Sequence, residues 1–309
     1  MSVPLLITRP FYGPTMDALE SQYDVHKLFA ADDPEALVRE IGKDIRAAAG
    51  SHVDAALMDK LPNLEIIANF GVGYDTIDTE AAKARGIRVT NTPDVLNDAV
   101  AELAIGLMIA LARQIPASET YLRDGEWSRA AFPLTAELTG KTLGILGLGR
   151  IGKEIAARAQ AMKMRVVYHG RHRQDDQPFV YYDDLVDMAR DSDWLLVIAP
   201  GGAGTEGIVS AKVLDALGPE GRLVNLARGS LIDEAAMLER LEDGRLGGAA
   251  LDVFVGEPKL DPRFLNIETV VLSPHQGSGT HQTRKKMGDL VIKNLAAHFA
   301  GKLLPTPVV

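Results

Sequence analysis

The chain has 309 residues, room for two compact domains, and its 46% apolar and 24% charged residues make a globular rather than a disordered composition. A net charge of −9 argues against general nucleic-acid binding, and the lack of any cysteine excludes disulfides, a thiol nucleophile and thiolate-held metal. The longest apolar stretch, 103–112, is broken by Gly106 and is too short for a membrane span, and no signal-type segment precedes the first strand-like run, so a cytoplasmic location is expected.

Short apolar runs predict strands over 5–8, 25–29, 46–49, 65–69 and 87–90. The segment DAVAELAIGLMIALAR, 98–113, reads as one long helix, apolar on more than one side and therefore buried between layers or at a subunit contact. Residues 115–141 mix aromatics, prolines and glycine without clear periodicity and read as an extended arm. Further strands are expected over 142–146, 165–169, 194–199, 222–226, 248–253 and 269–273, and a last periodic helix over 281–300. Strands rich in Val, Ile and Leu and spaced by helices mean parallel sheets covered on both faces, and two groups of them mean two α/β domains. The last helix can return to the first domain and make that domain discontinuous.

The sharpest local motif is Gly147-Leu148-Gly149-Arg150-Ile151-Gly152, directly after the strand KTLGIL and opening the helix KEIAARAQAM. The first glycine permits a tight turn and the second lets backbone approach a pyrophosphate. The third allows close packing of helix on strand, and the helix N-terminus faces the phosphate charge. Glycines in an ordinary turn are the bland alternative, but the strand before, helix after and strand beyond favour a dinucleotide site. The next strand, RVVYH, ends where an NAD enzyme usually places an acid for the ribose hydroxyls. Here stand Gly170, Arg171, His172 and Arg173. Glycine leaves room and two arginines can grip a 2′-phosphate, so NADPH is expected, with residual use of NADH. The alternative is a solvated basic turn, with Asp175 or Asp176 meeting the ribose. His169 and His172 are three apart but lack a third ligand, so no metal site is expected.

Three ionisable residues stand just past successive strands: Arg228 after RLVNLA, Glu257 beyond GAALDVF, and His275 after TVVLSP. Ligands of an open parallel sheet bind outside those strand ends, so the three can converge. Reduction of a 2-keto acid asks for little more: a nicotinamide to give hydride, a guanidinium for the carboxylate and carbonyl, an imidazolium to protonate the forming alkoxide, and a carboxylate to hold that imidazole. Each residue alone has a bland reading, as surface arginine, turn-forming Glu-Pro or structural histidine; their joint placement downstream of the glycine motif does not.

The segments VNLARGSLIDEAAML, GAALDVFVGEP, LSPHQGSGT and NFGVGYDTID resemble the D-isomer-specific 2-hydroxyacid dehydrogenases over almost the entire chain. The resemblance implies that Arg228, Glu257 and His275 are the catalytic set and that Val72 and Gly73 offer backbone amides to the substrate carboxylate. It implies that Asp252 meets the nicotinamide end of the cofactor. Ala199, Pro200, Thr205, Leu226 and Ala227 would line the groove, and Arg228, His275 and Gly277 would border it. It further implies two flavodoxin- and Rossmann-like doubly wound domains, the cofactor domain (98–283) inserted into the substrate domain (1–97 with 284–309), and a homodimer formed through the long helix and arm. The GRHR turn and the arm sequence DGEWSR are similar to the glyoxylate/hydroxypyruvate reductase branch. Trp127 or Arg129 would then reach a partner's active site and tune substrate size, with plain dimer packing as the alternative. Gln276 after the histidine and the glycine-rich APGGAGTEG depart from the family pattern and leave the substrate less defined. Competing readings are a bulkier 2-keto acid such as phenylpyruvate, a dinucleotide-sensing binding protein, and, lowest, formate oxidation.

Overall fold

Runs of Ala, Val, Ile and Leu, many buried at every position, pair into two wholly parallel sheets in the computed structural model, which describes residues 2–309. Contacts divide the chain into one unit made of the residues up to Leu96 together with Ser278–Val309, and a second, Asn97–Gly277.

The first unit begins β1 (Pro4–Ile7), α1 (Gly13–Gln22), β2 (Asp24–Lys27), α2 (Pro34–Ile41), β3 (Ala47–Gly50), α3 (Ala55–Asp59), β4 (Ile66–Asn69), α4 (Thr79–Ala84) and β5 (Arg88–Thr90). Its strand order β2-β1-β3-β4-β5 is the flavodoxin arrangement. Side chains alternate across the sheet: Leu5, Ile7, Ala47 and Ala49 enter the core on one face, while Leu6 and Ala48 enter that on the other. Aspartates start the helices on schedule, the carboxylates of Asp33, Asp54 and Asp78 accepting from the N–H groups of Ala36, Leu57 and Ala81.

The second unit contains α5 (Asn97–Ala112), α6 (Ile115–Arg123), β6 (Thr142–Leu146), α7 (Arg150–Ala161), β7 (Arg165–His169), β8 (Val180–Tyr182), α8 (Leu185–Arg190), β9 (Trp194–Val197), α9 (Ala211–Leu217), β10 (Arg222–Asn225), α10 (Glu234–Glu242), β11 (Gly248–Leu251) and β12 (Val270–Leu272). Its order β12-β11-β10-β9-β6-β7-β8 reverses direction between β6 and β9, the switch point where ligands of such sheets bind. α5 packs on α7 and buries Ala101 and Ala104 among its small residues. No single helix among the described residues is long and apolar enough to cross a membrane.

The chain then returns to the first unit as α11 (His281–Phe299), which places Val291 and Leu295 in the core beside Leu5 and Ile7. It lies so near α1 that a β-carbon at Gly288 would meet the Thr15 side chain at 2.1 Å.

Three expectations need correction. The units part before residue 278 rather than 284, because all of α11 packs with the first unit. The arm is not extended from its start. Pro116 stands in the first turn of α6, where its missing N–H is harmless, and none of α6 is buried, so no apolar period marks it. The edge strand β8 was not expected, three residues being too few to show alternation.

Candidate active site

Within the second unit, β6 is followed by Gly147, whose φ of 102° suits glycine and where an added β-carbon would fall 2.8 Å from the Ala199 backbone. A β-carbon at Gly152 would meet the Gly147 carbonyl oxygen at 2.4 Å, so α7 starts pressed against the loop. Gly149 precedes the helix without a side-chain cap, and the first-turn N–H groups of an α-helix find no acceptor within the helix itself. An anion is what such a terminus takes, and the close glycine packing leaves no side chain in its way. The residues present therefore fit a dinucleotide pyrophosphate.

The turn after β7 is braced from beneath. Tyr181 Oη donates to the Gly170 carbonyl at 3.1 Å, the Gln174 N–H donates to Tyr168 Oη at 2.7 Å, and Gln174 Nε2 donates to the Leu148 carbonyl at 2.8 Å. Above these anchors Arg171, His172 and Arg173 are exposed. Arg171 has no ion-pair partner among the described residues, while Arg173 lies 3.4 Å from Asp175. His169 is engaged at Nδ1 with the Tyr182 carbonyl, and no group of three or more metal-ligating side chains is assembled among the described residues. On the other side of the switch point Thr205 Oγ1 donates to the carbonyls of Pro200 and Gly202, folding the Ala199–Thr205 loop, and Leu226 and Ala227 are nearly buried at the end of β10.

Past β10, β11 and β12 the structure brings together Arg228, Glu257 and His275. His275 Nδ1 lies 2.7 Å from Glu257 Oε2. The other oxygen, Oε1, accepts from the Phe254 N–H at 2.9 Å. Burial pushes the Glu257 carboxyl up, but the bonds from His275 and Phe254 and the positive charges of His275 and Arg228 outweigh it, and the group is held below the usual carboxylate range. An ionised carboxylate only accepts, so Nδ1 carries the proton and Nε2 is the nitrogen that faces other chemistry. Arg228 is carried on extended backbone fixed by buried Asn225, whose Nδ2 donates to the Arg228 carbonyl and whose Oδ1 accepts from the Ala227 N–H. Its Nη1 donates to the Ala227 carbonyl.

His275 has φ 52°, a left-handed conformation that costs a β-carbon-bearing residue on the order of 1 kcal/mol. Asp252 holds it there. Its carbonyl accepts from the His275 N–H at 2.9 Å, while its carboxylate, in a residue 1% exposed, accepts from Ser273 Oγ and from the N–H groups of Gln276 and Gly277. What the structure displays of Asp252 is thus an internal clamp on the histidine loop. An acid directly after the wholly apolar strand GAAL was the available signal that its charge is used inside.

Val72 and Gly73 belong to the first unit. There Asn69 Nδ2 donates to the carbonyls of Gly71 and Gly73, Asn91 Nδ2 to that of Val72, and the Thr92 N–H to that of Gly71. Three successive carbonyls are tied down, and among the described residues the N–H groups of Val72 and Gly73 have no backbone acceptor in this unit. Such paired amides suit a carboxylate. Trp127 is 68% exposed and, with Ile115, Leu122 and Leu134, forms a series of exposed apolar side chains along α6 and the arm; Arg129 pairs with Glu126.

Residues 105–277 match the family model described as D-isomer specific 2-hydroxyacid dehydrogenase, NAD binding domain. The chain is 45% identical over 311 residues to a glyoxylate/hydroxypyruvate reductase A of Arabidopsis thaliana, covering 100% of this chain and 99% of that one. It is 47% identical over 270 residues, 86% of each chain, to a hydroxyphenylpyruvate reductase of Plectranthus scutellarioides. Among solved structures it is similar to an NADPH-dependent glyoxylate/hydroxypyruvate reductase from Sinorhizobium meliloti in complex with NADP and malonate, with a TM-score of 0.93, 41% identity, and coverage of 100% and 97%.

Proposed function

The chain belongs to the D-isomer-specific 2-hydroxyacid dehydrogenases, which are NAD(P)-dependent oxidoreductases, and from that premise we propose that it reduces small 2-keto acids, glyoxylate and hydroxypyruvate, with NADPH. The observation that carries the reading is the 2.7 Å bond between His275 and Glu257, beside Arg228 and in the same unit as the glycine loop.

In this mechanism the loop Gly147–Gly152 and the first turn of α7 hold the pyrophosphate. The bound nicotinamide supplies the hydride. Arg228 takes the substrate carboxylate and polarises the keto oxygen. His275, its Nδ1 proton kept by Glu257, gives a proton from Nε2 to the forming alkoxide and recovers it in the reverse direction. Asp252 keeps the histidine at the required position on its loop, and reach from Asp252 to the nicotinamide is part of the same proposal.

The choice of NADPH rests on Gly170, which leaves space, and on Arg171 and Arg173 carried on a turn anchored by Tyr168, Gln174 and Tyr181. A pre-anchored turn loses less freedom when it grips a phosphate. The NADPH-dependent relative of similar fold supports the same choice. A reductase for bulkier substrates is the second reading, favoured by the hydroxyphenylpyruvate reductase among the relatives. The exposed Ile115, Leu122, Trp127 and Leu134 support a homodimer through α6 and the arm, which a molecular-mass measurement in solution checks. The test of the proposal is kcat/KM for glyoxylate, hydroxypyruvate and phenylpyruvate with each reduced cofactor. Highest efficiency with the two small acids and NADPH is the expected result; preference for phenylpyruvate or NADH overturns the substrate or the cofactor assignment separately.

A further inference from the structure

Glu257 reaches His275 from a short loop after β11, and two features of the segment beginning at Arg228 determine where that loop lies. Gly229 is the first. A β-carbon there would fall 2.1 to 2.4 Å from the Phe254 carbonyl group and the Val255 nitrogen, so the turn after Arg228 lies directly against the 254–255 peptide. The second is Glu234, the first residue of α10, whose Oε2 accepts from the Val255 N–H at 2.9 Å. The adjacent N–H, that of Phe254, donates to Glu257 itself. Two neighbouring amides are therefore held by two carboxylates, and only one of these touches His275.

Glu234 is not needed to start its helix, because Asp233 already caps α10 by accepting from the Ala236 N–H. It is half-buried, and burial raises its carboxyl above the usual value, against the pull of the Val255 N–H; the charge of Asp261 adds to the rise and that of Arg263 opposes it. The Val255 N–H is its one hydrogen-bond donor among the described residues. A carboxylate held in a disfavoured setting by one backbone bond marks a position where that bond has a task.

We propose that Glu234 is a positioning residue for the catalytic pair: by fixing the Val255 amide it sets the loop from which Glu257 reaches His275. The inference rests on the reading of Glu257 and His275 as that pair. The test is a double-mutant cycle on the full-length protein, read in keto-acid reduction, with cofactor affinity measured by fluorescence titration. Glu234→Ala lowers kcat by about ten- to thirtyfold, the lower part of the range for one hydrogen bond to a charged group, and leaves cofactor affinity within about twofold. Glu234→Gln, whose amide oxygen still accepts from Val255, regains most of the rate. In a Glu257→Ala background the Glu234→Ala change adds less than about twofold, because the pathway it acts through is already gone. Equal losses from Glu234→Ala in both backgrounds, or no loss in the native one, overturn the proposal. A Glu257→Ala protein with undiminished rate instead overturns the catalytic pair on which it rests.

Discussion

Replacing Glu257 by Gln removes one negative charge from the pair and leaves the size of the side chain almost unchanged. In the native protein Oε2 meets His275 Nδ1 at 2.7 Å and Oε1 accepts from Phe254. The glutamine oxygen can keep the Phe254 bond, so the loop stays; its Nε2 then faces Nδ1 as a donor, and the histidine is pushed toward the wrong tautomer. A hydrogen bond to a charged group contributes about 1.5–3 kcal/mol, equivalent to roughly 10- to 150-fold in rate. The imidazole is 50% exposed, so solvent screening places the expected fall near the lower end, about tenfold. The assay follows the absorbance of reduced nicotinamide in both directions at one pH, with cofactor affinity determined separately. The variant cannot alter the overall equilibrium, so with unchanged cofactor affinity kcat/KM must fall by the same factor for keto-acid reduction and hydroxy-acid oxidation. A rate within about threefold of native refutes the role assigned to the charge.

Arg228→Ala should raise KM and lower kcat together, since its charge serves bound substrate and transition state alike; steady-state kinetics with glyoxylate checks this, and an unchanged rate contradicts it. Gly152→Ala places a methyl group 2.4 Å from the Gly147 carbonyl oxygen, so cofactor affinity should drop at least about tenfold and the melting temperature should fall, both measurable by thermal shift with and without NADPH. Gly170→Asp puts a carboxylate where a 2′-phosphate is expected, and the ratio of kcat/KM for NADPH over NADH should decline by about tenfold or more. An unmoved ratio would place the phosphate grip elsewhere.

Much of this architecture was legible because it depends on local pattern. Leu143, Ile145 and Leu146 in β6, or Leu195 to Val197 in β9, are buried runs that read as parallel-sheet strands, and Gly147 and Gly152 stand where a loop and helix must approach closely. Arg228, Glu257 and His275 could be placed because each follows such a strand. The missing parts depend on contacts distant in sequence. Asn225 resembles any polar residue at a strand end until its partners at 227–228 are known, and the place of Asp252 after GAAL hints at an inward charge but not at its partners at 273–277. The left-handed backbone of His275 could not be read from sequence: histidine is enriched there, as His52 also shows, but most histidines do not adopt it. Asn69 and Asn91 approach one loop from two different strand ends, and α6 hides because it buries nothing within its own unit.

The proposed proton transfer by His275 in an NADPH-linked reduction is tested by comparing native protein with His275→Ala in glyoxylate reduction while cofactor affinity is titrated in parallel. A positioned general acid contributes about 10²- to 10⁴-fold, so kcat should fall by that range with cofactor affinity retained. A variant that reduces glyoxylate at the native rate would contradict the claim, and a native protein that binds the dinucleotide but turns over no 2-keto acid would return the chain to the sensing reading.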